Sequence, residues 1–273
     1  MKIAVFGSSG FIGSQYVKSS IHETVPVKRG TLYEKADQVL FLIGTTDNYN
    51  VFTDPTIDIK TNLIELIATL EEYRKQNNNN FIFNYVSSWF VYGEGKLPYS
   101  EDQKCNPKGF YSITKYSAEL LLESYCKTFN IPYRILRLAN VIGPTDTGVS
   151  KKKNALQFLI FKLKNNEDIE LYENGDLLRD YIHVSDVANA IDLVLGSSLL
   201  NTIINIGNGD PKKLADLIEI ARIELKSKSK ISSIKTPKFH NLVQVKDSYL
   251  NVTKLKSLGY SPKCKIEEEL VNL

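Results

Sequence analysis

The chain has 273 residues with 42% hydrophobic and 24% charged content, enough for one large α/β domain with a sizeable core plus a smaller lobe. A formal net charge of +3, with the lysines spread along the chain, is too weak to argue for nucleic acid, although an anionic small substrate stays compatible. Three cysteines, Cys105, Cys126 and Cys264, form no CxxC or Cys/His spacing, so neither a disulfide framework nor a metal site is expected, and a reducing cytoplasm is. No run approaches the ~18 apolar residues of a membrane span, and the first strand leads straight into a glycine-rich turn, which argues against a signal peptide.

In chain order, short apolar runs alternate with helix-period segments. Residues 3–6, 38–43, 81–86 and 132–138 predict buried strands, with a shorter, weaker one at 24–27. A helix is expected where Ile59, Leu63, Ile67 and Leu70 recur, and a second from Tyr111 to about Phe129. Strand–helix alternation of this kind predicts a mainly parallel sheet covered on both faces. Residues 76–80 predict an exposed polar loop, and residues 202–206 a late strand. Asp210-Pro211 then reads as an N-cap and first helical position, opening a helix with Leu214, Leu217, Ile218 and Ala221 on one face. The Lys- and Ser-rich stretch 226–238 reads as a surface connection.

Gly7-Ser8-Ser9-Gly10-Phe11-Ile12-Gly13 follows the first strand and opens a helix. Gly7 permits the tight turn, Gly10 lets a pyrophosphate approach the helix N-terminus, and Gly13 allows close helix–strand packing. The arrangement is GxxGxxG, with the second glycine one residue later than in GxGxxG. Directly after an N-terminal strand it implies a dinucleotide cofactor at Gly7, Ser9, Gly10, Phe11, Ile12 and Gly13; Ile43, Gly44, Thr45, Tyr111, Lys115 and Leu138 are expected as its further contacts. At the second strand an NAD enzyme usually carries an acid for the ribose 2′-hydroxyl, whereas this chain offers Lys28 and Arg29. That favours NADP(H), with NAD(H) as the alternative. Only eight residues separate Arg29 from Gln38, too few for a crossover helix and another strand, so the third strand should be missing.

Tyr111 and Lys115 stand at i and i+4 on one helix face, where a cation near a phenol would favour the phenolate and lower its pKa. Alone, this spacing is an ordinary helical pair. It gains weight from Val86-Ser87-Ser88-Trp89-Phe90-Val91-Tyr92-Gly93, from Arg137-Leu138-Ala139-Asn140-Val141-Ile142-Gly143-Pro144, and from Arg179-Asp180-Tyr181-Ile182-His183-Val184-Ser185-Asp186-Val187. With the glycine turn, and with Leu258-Gly259-Tyr260-Ser261-Pro262 near the end, these segments resemble the extended short-chain dehydrogenase/reductase family of nucleotide-sugar epimerases, dehydratases and reductases.

The resemblance implies an α/β, Rossmann-type doubly wound parallel sheet with a smaller C-terminal substrate-binding lobe. Residues 1–143 and 180–206 would bind the dinucleotide, and residues 144–179 and 207–273 the nucleotide sugar. It implies Ser88, Tyr111 and Lys115 as the catalytic set, with Ser87 as the nearby alternative hydroxyl. Ser88, Tyr111, Asn140 and Arg179 would contact substrate, Arg179 as a guanidinium fork on the diphosphate. His183 reads as structural, with Tyr181, Ile182 and Val184 as strand residues. Sugar dehydratases of the family carry an Asp-Glu pair where this chain has Trp89 and Phe90, so 4,6-dehydration is not expected. The favoured reaction is reduction of a 4-keto nucleotide sugar by hydride transfer. A C4 epimerase with tightly held NAD is the alternative, and a non-catalytic dinucleotide sensor the reading from another class. By analogy the protein is a homodimer built on the helix around residues 62–73 and the one bearing Tyr111.

Overall fold

The computed structural model describes residues 1–76, 80–146, 150 and 154–273. Its centre is a six-stranded parallel sheet in the order β2-β1-β3-β4-β5-β9, formed by β1 (Lys2–Phe6), β2 (Glu23–Pro26), β3 (Gln38–Phe41), β4 (Ile82–Ser88), β5 (Tyr133–Leu138) and β9 (Thr202–Ile206). The period-2 alternation sorts the core. Ile3 and Val5 pack with α6 (Val184–Gly196) and with Tyr16 of α1 (Phe11–Ser19) on one face. Ala4 and Phe6 pack with α3 (Glu65–Lys75) and α4 (Phe110–Phe129) on the other. The sheet is doubly wound, as expected. Residues 27–37 contain no helix and no strand, β2 is the sheet edge, and the third strand of the usual order is absent as its short spacing required.

Because β1 lies between β2 and β3, the strand order reverses at its C-terminal end, and that is where a crevice opens in such sheets. A second sheet, β10-β8-β6, joins β6 (Asn140–Ile142), β8 (Leu178–His183) and β10 (Pro211–Lys213). A two-stranded pair joins β7 (Ile169–Tyr172) and β11 (Ile231–Ile234). A separate core of Ile142, Ile160, Leu171, Tyr181 and Leu217 holds these strands to α5 (Ala155–Lys164) and α7 (Leu214–Glu224).

Four expectations are corrected. Asp210-Pro211 does not start a helix: Pro211–Lys213 pairs antiparallel with β8, and α7 begins at Leu214, although Leu214, Leu217, Ile218 and Ala221 are buried as expected. The 226–238 stretch is more than a surface connection, since Ile231–Ile234 pairs in parallel with β7 and the Ser227 and Ser229 hydroxyls are buried against each other. The helix expected around Ile59–Leu70 is three pieces, α2 (Thr56–Ile59), a π turn (Lys60–Ile64) and α3. The wider turn shifts the buried face, so Asp58, Asn62, Leu66, Leu70 and Tyr73 point inward while Ile59 is exposed. Val184 begins α6 instead of ending β8, and His183 caps that helix, its ring nitrogen accepting from the Ser185 N–H. Of the polar loop at 76–80, Gln76 and Asn80 are exposed and residues 77–79 lie outside the described residues.

Candidate active site

A cavity of about 710 Å3 runs from the glycine turn, past the C-terminal ends of β4 and β5, to β8. At one end Gly7 takes the left-handed conformation, φ 79°, and closes a turn in which the Gly10 N–H bonds the Gly7 carbonyl at 3.0 Å. A Cβ at Gly13 would overlap the Gly7 carbonyl, so only glycine lets α1 approach this closely. Gly10 caps α1 without a side-chain bond, and no acid lies in its first turn. Its leading N–H groups are therefore available to an anion, which fits a dinucleotide pyrophosphate. Gly7, Gly10, Phe11, Ile12, Gly13, Gly44, Thr45 and Leu138 all line the cavity.

The other expected cofactor residues lie around it. Ser9 is exposed on the turn and Ile43 packs into the core. Lys28 and Arg29 are exposed outside the cavity lining, in a turn closed by Thr31 N–H to the Lys28 carbonyl at 3.1 Å. The Ser8 hydroxyl donates to the Val27 carbonyl at 3.4 Å, which ties that turn to the glycine loop.

In the middle, α4 brings Tyr111 and Lys115 beside Ser88 at the end of β4. Burial pushes the Tyr111 phenol up to about 12, hydrogen bonding with Ser88 acts to lower it, and the buried Asp58 carboxylate raises it. The Ser88 Oγ also accepts the Phe90 N–H at 3.3 Å, whereas the buried Ser87 hydroxyl has no hydrogen-bond partner among the described residues. Lys115 is buried, its Nζ donating to the Val86 carbonyl at 2.8 Å and lying 4.3 Å from the centre of the Tyr85 ring. Burial pulls its pKa down to about 7, against a smaller upward pull from Glu119. The expected lowering of Tyr111 by Lys115 is therefore corrected: the ammonium serves a backbone carbonyl, and desolvation governs both groups.

At the far end the Asn140 amide accepts the Trp89 indole N–H at 3.3 Å and donates to the Asp180 carbonyl at 3.0 Å. Arg179 is buried, with Nη1 donating to the Leu178 and Lys246 carbonyls and Nη2 to the Val245 carbonyl at 2.9 Å. The expected free fork is thus half engaged in holding the 245–246 segment. Of the five guanidinium N–H groups, the one on Nε and one on Nη2 make no hydrogen bond among the described residues.

The sequence left two polar clusters unrecognised. Asn62 accepts the Thr45 N–H at 2.9 Å and donates to the Thr114 hydroxyl at 3.0 Å, joining the β3 loop to α4, while Asp58 accepts the Thr45 hydroxyl. Polar residues four apart on a buried helix face were the signal, masked by the π turn. Asp180 collects the Asn208, Gly209 and Leu250 N–H groups at 2.9, 3.0 and 3.4 Å, and burial lifts its pKa to about 6.

A reversed-order parallel sheet, an uncapped glycine-bordered helix and a Ser/Tyr/Lys group on one cavity define a nicotinamide-dependent enzyme of the short-chain dehydrogenase/reductase type. The chain belongs to the NAD dependent epimerase/dehydratase family, whose profile matches residues 28–207. It is 29% identical to a putative UDP-glucose 4-epimerase of Methanocaldococcus jannaschii, across 97% of this chain and 95% of the relative. In fold it is similar to the UDP-glucose 4-epimerase of Thermus thermophilus in complex with NAD, with TM-score 0.86, 22% identity, and 99% and 97% of the two chains covered. It is also similar to RMD of Pseudomonas aeruginosa complexed with NADPH, with TM-score 0.85, 23% identity, and 99% and 96% covered. No helix among the described residues is long and apolar enough to cross a membrane.

Proposed function

We propose that the protein is an NADP(H)-dependent reductase of a 4-keto nucleotide-diphosphate sugar. The observation that carries the cofactor preference is the Lys28-Arg29 turn, which has no acid in the position of a ribose reader and is tied through Ser8 to the glycine loop. Two exposed cations there suit a 2′-phosphate. When bound, the nicotinamide supplies hydride to the sugar carbonyl carbon. Tyr111 gives its phenolic proton to the oxygen that becomes the alcohol, and Ser88 holds that oxygen by a hydrogen bond. A phenol kept protonated by burial suits the donor role. Lys115 holds the cofactor ribose, and Arg179 and Asn140 serve the diphosphate side. Residues 1–143 and 180–206 carry the dinucleotide, and residues 144–179 and 207–273 the sugar nucleotide.

A second reading, C4 epimerisation with retained NAD, is favoured by the near full-length likeness to the putative epimerase of Methanocaldococcus jannaschii. Incubation with a 4-keto nucleotide sugar separates the two. Stoichiometric loss of NADPH absorbance supports the reductase, whereas interconversion of C4 epimers without net cofactor turnover replaces it with the epimerase. Exposed Ile64, Ile113, Leu120 and Leu121 on the π turn and α4 support a homodimer through these helices, and the three free thiols support a reducing cytoplasm.

A further inference from the structure

Between the reacting phenol and Arg179 the cavity wall is a row of aromatic rings. Phe90 meets the Tyr111 ring edge-on at 5.9 Å, Trp89 stacks on Phe90 at 4.0 Å, and the Arg179 guanidinium lies 5.5 Å from the Trp89 ring centre. All four residues line the cavity. Trp89 is buried and fixed, by Asn140 through its indole N–H and by Arg179 at its ring. Phe90 is half-buried, and its backbone N–H is held by the Ser88 hydroxyl that also faces Tyr111. The ring nearest the reacting centre is thus rigidly backed.

We propose that Phe90, backed by Trp89, is the wall on which the sugar ring packs, and that it selects an uncharged hexose over a hexuronate. The inference rests on the function proposed above: with the sugar carbonyl at Tyr111 and its diphosphate at Arg179, the pyranose must span the interval these rings occupy. An aromatic face attracts sugar C–H groups and offers neither donor nor acceptor, and the one N–H in the wall is already taken by Asn140. A hydroxyl turned away from it remains solvated. A carboxylate pressed to it loses hydration, and neither ring offers a donor to replace the water. Discrimination arises from what the wall rejects.

The test is calorimetric binding at saturating NADPH, using UDP, UDP-glucose and UDP-glucuronate, with GDP and dTDP and their glucose conjugates as the nucleotide panel. Wild type should bind the hexose conjugate at least roughly tenfold more tightly than the hexuronate. Phe90→Ala and Phe90→Leu should each weaken the hexose conjugate by about tenfold and change binding of the bare nucleotide by less than about twofold. The leucine variant retains apolar bulk and guards against a folding defect, which thermal melts would reveal. Equal affinity for hexose and hexuronate, or unchanged hexose affinity in both variants, overturns the proposal. If wild type binds no nucleotide sugar of the panel, the proposed function itself fails, and this inference falls with it.

Discussion

The two ends of the cavity are built from different materials. At the glycine turn the cavity-facing groups are backbone: N–H groups of a helix that Gly10 leaves without a side-chain cap, while Gly13 lets that helix sit against the Gly7 carbonyl. At the β8 end they are side chains held by other side chains or by carbonyls, with Trp89 on Asn140 and Arg179 on the 245–246 segment. A backbone cradle recognises what all dinucleotides share, and it fails only when a glycine is filled. A side-chain wall can be rewritten residue by residue, so under the proposed function substrate identity would be set there. Tyr111, Ser88 and Lys115 stand where the two ends meet.

The sharpest break in this comparison is Gly13→Val. Its Cβ would drive α1 away from the Gly7 carbonyl. NADPH affinity should fall beyond detection in a fluorescence titration, with a stability loss on the order of 3 kcal/mol in urea melts. Normal cofactor binding by this variant would remove the backbone-cradle account.

A smaller effect sharpens the cofactor end. Arg29→Ala should weaken NADPH about tenfold while changing NADH less than about twofold, because under the proposed function this exposed arginine would make a charge-assisted bond to the 2′-phosphate alone. Equal loss for both cofactors would assign the turn no phosphate role.

The smallest effect concerns Lys115, whose burial holds its pKa at about 7. Below that pH the folded chain carries a buried ammonium that the unfolded chain solvates, so the cost to stability is complete. As pH rises from about 7 towards about 10, the folded chain has shed a proton that the unfolded chain keeps, and the cost shrinks. Lys115→Met keeps the aliphatic stem and removes the charge. Its melting temperature relative to wild type should be higher at pH 6.5 than at pH 9, by on the order of 5 °C. Loss of the Val86 bond offsets the gain at both pH values and leaves the trend. A difference that is flat or grows with pH would contradict the buried-cation account.

Much of the glycine-turn end was legible in the sequence, because it depends on residue types with narrow backbone roles. Gly7 and Gly13 carry that signal locally, and the eight residues between Arg29 and Gln38 could not hold a helix and a strand under any packing. The sheet strands were legible because parallel strands buried on both faces are continuous apolar runs. The rest depends on pairing across distance. Pro211 is a good first helical residue by local chemistry, yet its segment finds β8. Ser232 and Ser233 carry no strand signal until β7 is beside them. The π turn at Lys60–Ile64 breaks the helical period, so apolar spacing pointed to Ile59 and away from Asp58 and Asn62. The i, i+4 spacing placed Tyr111 and Lys115 together correctly but could not show that the ammonium would bond the Val86 carbonyl.

The central claim is that Tyr111 supplies the proton at the junction of the two ends, its hydroxyl adding little to cofactor affinity. The measurement that tests it most directly is single-turnover hydride transfer by Tyr111→Phe, paired with an NADPH fluorescence titration of the same variant. The account predicts a rate lower by about 10³-fold or more, with cofactor affinity within about twofold of wild type. A near-normal rate would contradict it, and so would a loss of rate explained entirely by a loss of NADPH binding.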